Sequence, residues 1–214
     1  MNRTMLKQFR AICWIALLVG MAGGCVRSMQ PILKDEQVFT NDKWLGDWVS
    51  SDGKTSGVVT AADDQKRYKL LYTDEQGKQA NLLVRLGKIG DMTIAESTID
   101  DPAPDASDVY KLHLLPLHSF MLVKDSTQQR LVLRLMDSNW LSKYVDAHPT
   151  ELATLKVTHE DFVVTASTDD FQAFLIRHAK DDGAYGEDGI FVRPGDPTTA
   201  PAMKPTSNSA PPGP

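Results

Sequence analysis

From Lys43 onward the chain alternates apolar and polar residues in short runs broken by turn-forming residues, the period-two pattern of half-buried strands. Lys43 to Ser50 sets Trp44, Gly46 and Trp48 on one side and Leu45, Asp47 and Val49 on the other. Ser51-Asp52-Gly53 turns the chain into Ser56 to Ala62, and the polar corner Asp63-Asp64-Gln65 leads to Arg67 to Thr73. Asp74-Glu75-Gln76-Gly77 has hairpin chemistry and opens Gln79 to Leu86, with Met92 to Ser97 following the corner Gly87 to Asp91. Short connections make successive strands antiparallel neighbours, so the pattern predicts an up-and-down meander of barrel or sandwich type.

The rhythm breaks at Thr98 to Ser107, where two prolines and three aspartates exclude a strand interior. Strands are expected again at Val109 to Leu115, His118 to Val123 and Arg130 to Met136. In the last of these Leu131, Leu133 and Leu135 take one face while Val132, Arg134 and Met136 take the other. Two helices are predicted late. One runs from the capping residues Asp137 and Ser138 to His148-Pro149, with Trp140, Leu141, Tyr144 and Val145 at helical spacing. The other covers Thr168 to Lys180, with acids in its first turn and Phe171, Phe174, Leu175 and His178 on one face. A hairpin over Leu152 to Thr165 separates them, and Gly189 to Arg193 is the last expected strand.

The two ends of the chain have a different character. Arg3, Lys7 and Arg10 precede the uncharged apolar run Ala11 to Ala22, and Gly23 and Gly24 lead to Cys25. This is the layout of a secretory signal peptide, and a cysteine directly after the small residues makes the cleavage site a lipidation site. The alternatives are an ordinary cleaved signal and an uncleaved anchor; a bilayer span needs about 20 apolar residues, more than this run supplies. Residues 25–42 carry few strand signals and are expected to be a tether, with Pro31-Ile32-Leu33 and Val38-Phe39 able to dock on the domain. Beyond Arg193, residues 194–214 hold seven of the twelve prolines and little apolar bulk, the composition of a disordered tail. The division is therefore signal 1–24, tether 25–42, domain 43–193 and tail 194–214.

Met21-Ala22-Gly23-Gly24-Cys25 resembles the lipobox of bacterial lipoproteins, with Ala22 where Leu is usual. The resemblance implies cleavage before Cys25, a diacylglyceryl thioether and an amide-linked acyl chain on that residue. With Val26 rather than Asp after the cysteine, it further implies sorting to the outer membrane. Two or more chains give stable anchoring where one does not.

Charge and cysteine content narrow the remaining possibilities. The chain has 23 Lys and Arg against 28 Asp and Glu, and loss of the three basic signal residues leaves 20 against 28, a net charge of −8. Such a surface argues against nucleic acid or anionic lipid as a partner. The only cysteines are Cys13 and Cys25, so the exported body has no pair to form a disulfide and relies on packing.

Gly46-Asp47-Trp48 resembles the Gly-x-Trp of the first lipocalin strand, and the meander, helix and short last strand follow in a similar order. The resemblance implies an all-β fold: a mainly antiparallel meander closed as a lipocalin-like barrel, with two short helices. It implies that Trp48 closes the barrel floor under an arginine, for which Arg134 is the nearest candidate, and that the cup holds a small hydrophobic ligand.

Candidate chemistry is sparse. His113 and His118, five apart, take opposite faces of a regular strand and do not share a metal without a break at Pro116. Ser119 lacks the flanking glycines of a nucleophile elbow, and its neighbour His118 points away from it. The acidic pairs Asp63-Asp64, Asp100-Asp101, Asp169-Asp170 and Asp181-Asp182 sit at turns or caps. Asp100, Asp101, Asp105 and Asp108 lack the spacing of an EF-hand loop. No cofactor, metal or catalytic residue is expected, and the sequence points to a non-enzyme that binds an apolar ligand or an envelope protein. The candidate ligand contacts are Trp48, Tyr68, Tyr72, Phe120 and Arg134, with Cys25 as the lipidation site. A solid barrel serving as a structural or interaction module is the alternative, and an enzyme of unrecognised type the second; a ligand needs a cavity of roughly 300 to 1,000 Å³.

Overall fold

A computed structural model describes residues 25–100, 107, 109, 114–158 and 161–195. The predicted signal, the tail beyond Gly195 and most of the expected strand Val109 to Leu115 lie outside the described residues, as do His113, His159 and most of the Asp100 to Asp108 acids.

The alternating segments form the expected strands, and two short strands form within the expected tether. In chain order these are β1 (Arg27–Ser28), β2 (Val38–Phe39), β3 (Gly46–Ser50), β4 (Ser56–Ala61), β5 (Tyr68–Thr73), β6 (Gln79–Ile89) and β7 (Met92–Ile99). They continue as β8 (His118–Ser126), β9 (Arg130–Met136), β10 (Thr154–Lys156), β11 (Phe162–Val164) and β12 (Tyr185–Val192). Each of β3 to β9 pairs antiparallel with the next, and β12 lies between β9 and β3, so eight strands close into an up-and-down barrel. Closure leaves no edge in that circuit. At β8 the sheet also branches, because the start of this strand pairs with β1, and β1 continues to β11 and β10 as an apron beside the barrel.

The two helices are α1 (Ser138–Ala147) and α2 (Thr168–Arg177). Asp137 caps the first by accepting from the Trp140 amide at 2.7 Å, and Ser167 caps the second from the Asp170 amide. Both helices pack on the outer wall. Phe171, Phe174 and Leu175 of α2 join Leu141 and Val145 of α1, Ile94 of β7, Phe120 and Leu122 of β8 and Met136 of β9 in one buried cluster. His178 just past α2 is 5% exposed, its ring tilted against Phe174 at 4.4 Å and its Nδ1 2.6 Å from Asp181. No helix of the described residues is long and apolar enough to cross a membrane.

The expected tether is instead part of the body from Val26 onward. Val26, Ile32 and Leu33 are buried in the outer cluster, and β2 pairs with β6. Leu33 seats on Gly87, where a Cβ would lie 2.6 Å from a Leu33 methyl, so the leader can approach the strand only because that residue has no side chain. Further bonds hold the same stretch, from Gln172 to the Ile32 carbonyl at 2.7 Å and from Thr168 to the Pro31 carbonyl at 2.6 Å. Few strand signals do not make a free linker when the apolar residues have a groove to fill.

A candidate ligand site in the barrel

Paired strands share faces, so the registers show which side chains enter the lumen. Trp48, opposite Gly57, and Tyr68, opposite Val84, face inward with Val59, Leu86, Ala95, Leu131 and Leu133, and these residues form a second buried cluster with Trp44. Leu70, Tyr72, Leu82, Met121 and Phe191 follow the same alternation.

The floor is built from the turn that precedes β3. A 3-10 turn, Asp42–Trp44, carries Trp44 beneath the lumen, where its indole donates to Ser126 at 3.0 Å. Trp48 donates to the Trp44 carbonyl at 2.8 Å, and the Tyr68 hydroxyl bonds the backbone of Asn41. Arg193, just past β12, lies over the Trp48 ring with its guanidinium carbon 3.7 Å from the centroid. It donates to the carbonyls of Lys43, Asp47 and Gln128 at 2.9 to 3.1 Å. Gly46 fits beside it with φ of 100°, and a Cβ there would stand 3.1 Å from the Arg193 Nη1. The glycine of the Gly-Asp-Trp motif thus serves both the backbone turn and the arginine.

At the opposite end the same inner face is less covered. Leu70, Tyr72, Leu82 and Met121 are half-buried, and Ile99 and Leu135 are 37% and 41% exposed. The lumen is therefore filled at the Trp48 end and lined by accessible apolar side chains at the other, in a barrel of a size that either packs solid or holds one small ligand. Burial raises the Tyr68 and Tyr72 phenols above their usual range, as expected for rings set into this wall.

The structure brings three of the five expected ligand contacts into the lumen: Trp48 and Tyr68 in the floor and Tyr72 near the mouth. Phe120 is on the outer wall, edge-on to Phe171 at 5.8 Å. Arg134 is also outside, its Nε 2.6 Å from Asp188 on β12, and does not cover the tryptophan; Arg193 does. Alternation already puts Arg134 on the face of β9 away from Leu133. Cys25 is exposed.

The outer wall holds a charged cluster that sequence reasoning missed. Glu96, 2% exposed, accepts from the Ile32 amide at 2.7 Å and from Arg85 at 2.6 and 3.0 Å. His118 Nδ1 lies 2.8 Å from Oε1, the oxygen that takes the Ile32 amide, a close electrostatic contact whose angles fall outside those of a hydrogen bond. Burial works to raise the Glu96 carboxyl, and the His118 contact, the Ile32 amide and Arg85 together overcome it and hold the group below its usual value. The signal was available, since Ile94 and Glu96 share a strand face and one of them is fully apolar. A cleft of about 200 Å³ opens here between Pro31, Leu83, Thr98 and the charged groups. Both Glu96 oxygens are already engaged with the leader and the wall, which makes the cluster a clasp rather than an acid or base.

His118 and Ser119 point to opposite faces as expected: the Ser119 hydroxyl meets that of Ser97 at 2.9 Å across the strands. Among the described residues no three acidic, histidine or cysteine side chains come together as metal ligands. Compared with protein-family models, curated proteins and solved structures, the chain matches none.

Proposed function

We propose that this is a lipid-anchored protein of the bacterial cell envelope, held through Cys25, whose barrel binds a small hydrophobic ligand at its mouth. The observation that carries ligand binding is the gradient along the lumen: a floor packed shut by Trp44, Trp48 and Tyr68 beneath inward-facing Leu70, Tyr72, Leu82 and Met121 that remain half-buried. Concave apolar surface with a few polar groups at its edge is the usual form of a small-molecule site. The arginine over Trp48 beside Gly46 supports the lipocalin likeness, and the lipobox-like sequence supports the anchor.

The test uses the protein isolated from cells. Native mass spectrometry is expected to show a co-purified apolar molecule, which an environment-sensitive fatty-acid probe displaces, and Leu82→Arg is expected to lower the probe's affinity severalfold. A body that carries nothing and takes up no probe defeats ligand binding. Fatty-acid labelling of the wild type but not of Cys25→Ser checks the anchor separately.

The filled floor also favours a second reading, a barrel without cargo that serves as an interaction module. Crosslinking in cells that recovers one defined partner, together with the absence of bound lipid, would select it.

A further inference from the structure

The residue after the anchor cysteine is not a linker. Val26 is 5% exposed and belongs to the outer core, and Arg27–Ser28 are already paired as β1 with β8 on one side, while Ser28 pairs with β11 on the other. A lipid on Cys25 therefore has no slack, and the surface around this residue must meet the bilayer that holds it.

The registers identify that surface. Ser28, His118, Val164 and Thr154 form one row across the apron, and its side chains belong to the outer face. The neighbouring row contains Arg27 opposite Ser119 and Leu155 opposite Val163, and through Ser119 and Ser97 it continues the inner face of the barrel. Cys25, one residue before a side chain buried in the outer core, falls on this inner side. β1 pairs with the start of β8, at His118 and Ser119, whereas Ser126 at the far end of β8 accepts from Trp44 in the floor. The cysteine thus stands at the mouth.

Large apolar side chains are exposed on the same side. Leu155 and Val157 of the apron are 57% and 56% exposed, and Leu135 and Ile99 at the rim are 41% and 37% exposed. An ion pair from Arg27 to Asp161 ties the apron hairpin to the residue two beyond the anchor. Apolar residues gathered around a lipid attachment point would bury their surface in the interfacial layer of the bilayer. The overall acidic charge favours contact through these side chains and not through a basic patch.

We infer that the barrel mouth and the β1–β11–β10 apron lie against the bilayer that holds Cys25, so that the ligand is an acyl chain entering from the membrane. This inference rests on the proposed anchor and cup and adds their orientation and ligand class. It explains why a protein whose exposed apolar residues would otherwise be a liability keeps several of them on one side.

The mature chain has no thiol other than Cys25, so a single introduced cysteine takes a spin label selectively. The lipidated protein is placed in phosphatidylethanolamine and phosphatidylcholine vesicles with the label at Leu155→Cys, at Leu135→Cys, or at Lys66→Cys in the turn at the floor end. Collisions with dissolved oxygen are expected to exceed those with a water-soluble nickel chelate severalfold at the first two sites, with the reverse at the third. If the protein floats with the vesicles and all three labels report water, the orientation is overturned while the anchor stands. If the protein does not float with them, the anchor fails and the orientation with it. Circular dichroism of each labelled variant confirms that the body is folded.

Discussion

Arg193 covers the ring of Trp48 although 145 positions separate them, and the guanidinium sits 3.7 Å above the indole while donating to three backbone carbonyls. The contact ties the end of the last strand to the start of the first, which is where the barrel closes. Arg193→Ala is expected to lower the unfolding free energy by about 2 kcal/mol, from the lost stacking and charge-assisted hydrogen bonds. Arg193→Lys is expected to restore less than half, because an ammonium cannot reproduce the planar fork. Denaturant titrations followed by tryptophan fluorescence measure both; an alanine variant as stable as the wild type would show that closure does not depend on the contact.

Much of the architecture was legible because strand alternation is a local property. The faces assigned to Leu131, Leu133 and Leu135, the cap at Asp137, and the buried face of α2 follow from spacing alone. Arg193 was not legible as the covering residue, because a lone arginine after a short strand carries no mark of a partner so far back in the chain. The leader failed for a related reason: Ile32 and Leu33 make sense only when Gly87 supplies a groove, and a glycine in a sequence reads first as a corner. For Glu96 the sequence shows an acid on the same strand face as Ile94 but not its partners, which come from the leader, β6 and β8. Of the candidate site, Trp48, Tyr68 and Tyr72 were readable as lumen residues, whereas Phe120 was assigned by its aromatic character against its own strand parity.

Glu96 makes the clasp sensitive to acid. Its folded value is held below the ordinary 4.5, so its ionised form contributes stability that is present above about 4.5 and lost as pH falls through the lowered folded value. The wild type is expected to lose stability steeply in that acid window, and Glu96→Gln to show a shallower slope there. At neutral pH the same variant is expected to be less stable by about 3 kcal/mol, since it leaves buried partners without their counter-charge. Arg85 retains Asp35 at 3.0 Å, which keeps the loss from being larger. Equal acid slopes for variant and wild type would remove Glu96 as the source.

Gly87→Ala tests the integration of the leader. The added methyl meets both Leu33 methyl groups at 2.6 and 2.8 Å and the Gln37 carbonyl at 3.1 Å, and the first contact is with a side chain that is itself buried. Overpacking of this kind costs about 1 to 3 kcal/mol. The strain falls on a segment whose strands lie outside the closed circuit of the barrel, so the variant is expected to open there first. Limited proteolysis at Lys34 should be faster than in the wild type, while cleavage in the barrel strands stays slow; unchanged cleavage at Lys34 would mean that the leader is not seated on Gly87.

Tyr185 provides a test in which the expected change is a gain. Its hydroxyl is buried without a hydrogen-bond partner among the described residues, and burial pushes its phenol up to about 12. An unsatisfied buried hydroxyl carries a desolvation cost that phenylalanine does not, so Tyr185→Phe is expected to stabilise the fold by about 1 kcal/mol at neutral pH. The linkage has a definite sign as well. A group whose folded value is raised contributes stability that is complete below the unfolded value near 10 and declines as pH rises toward about 12. The phenylalanine variant is expected to lose less stability over that alkaline range than the wild type. Thermal unfolding followed at pH 7 and again between pH 10 and pH 12 separates the two effects. A variant that is less stable at pH 7 would show that the hydroxyl has a partner, such as an ordered water bridging it to the strand beside it.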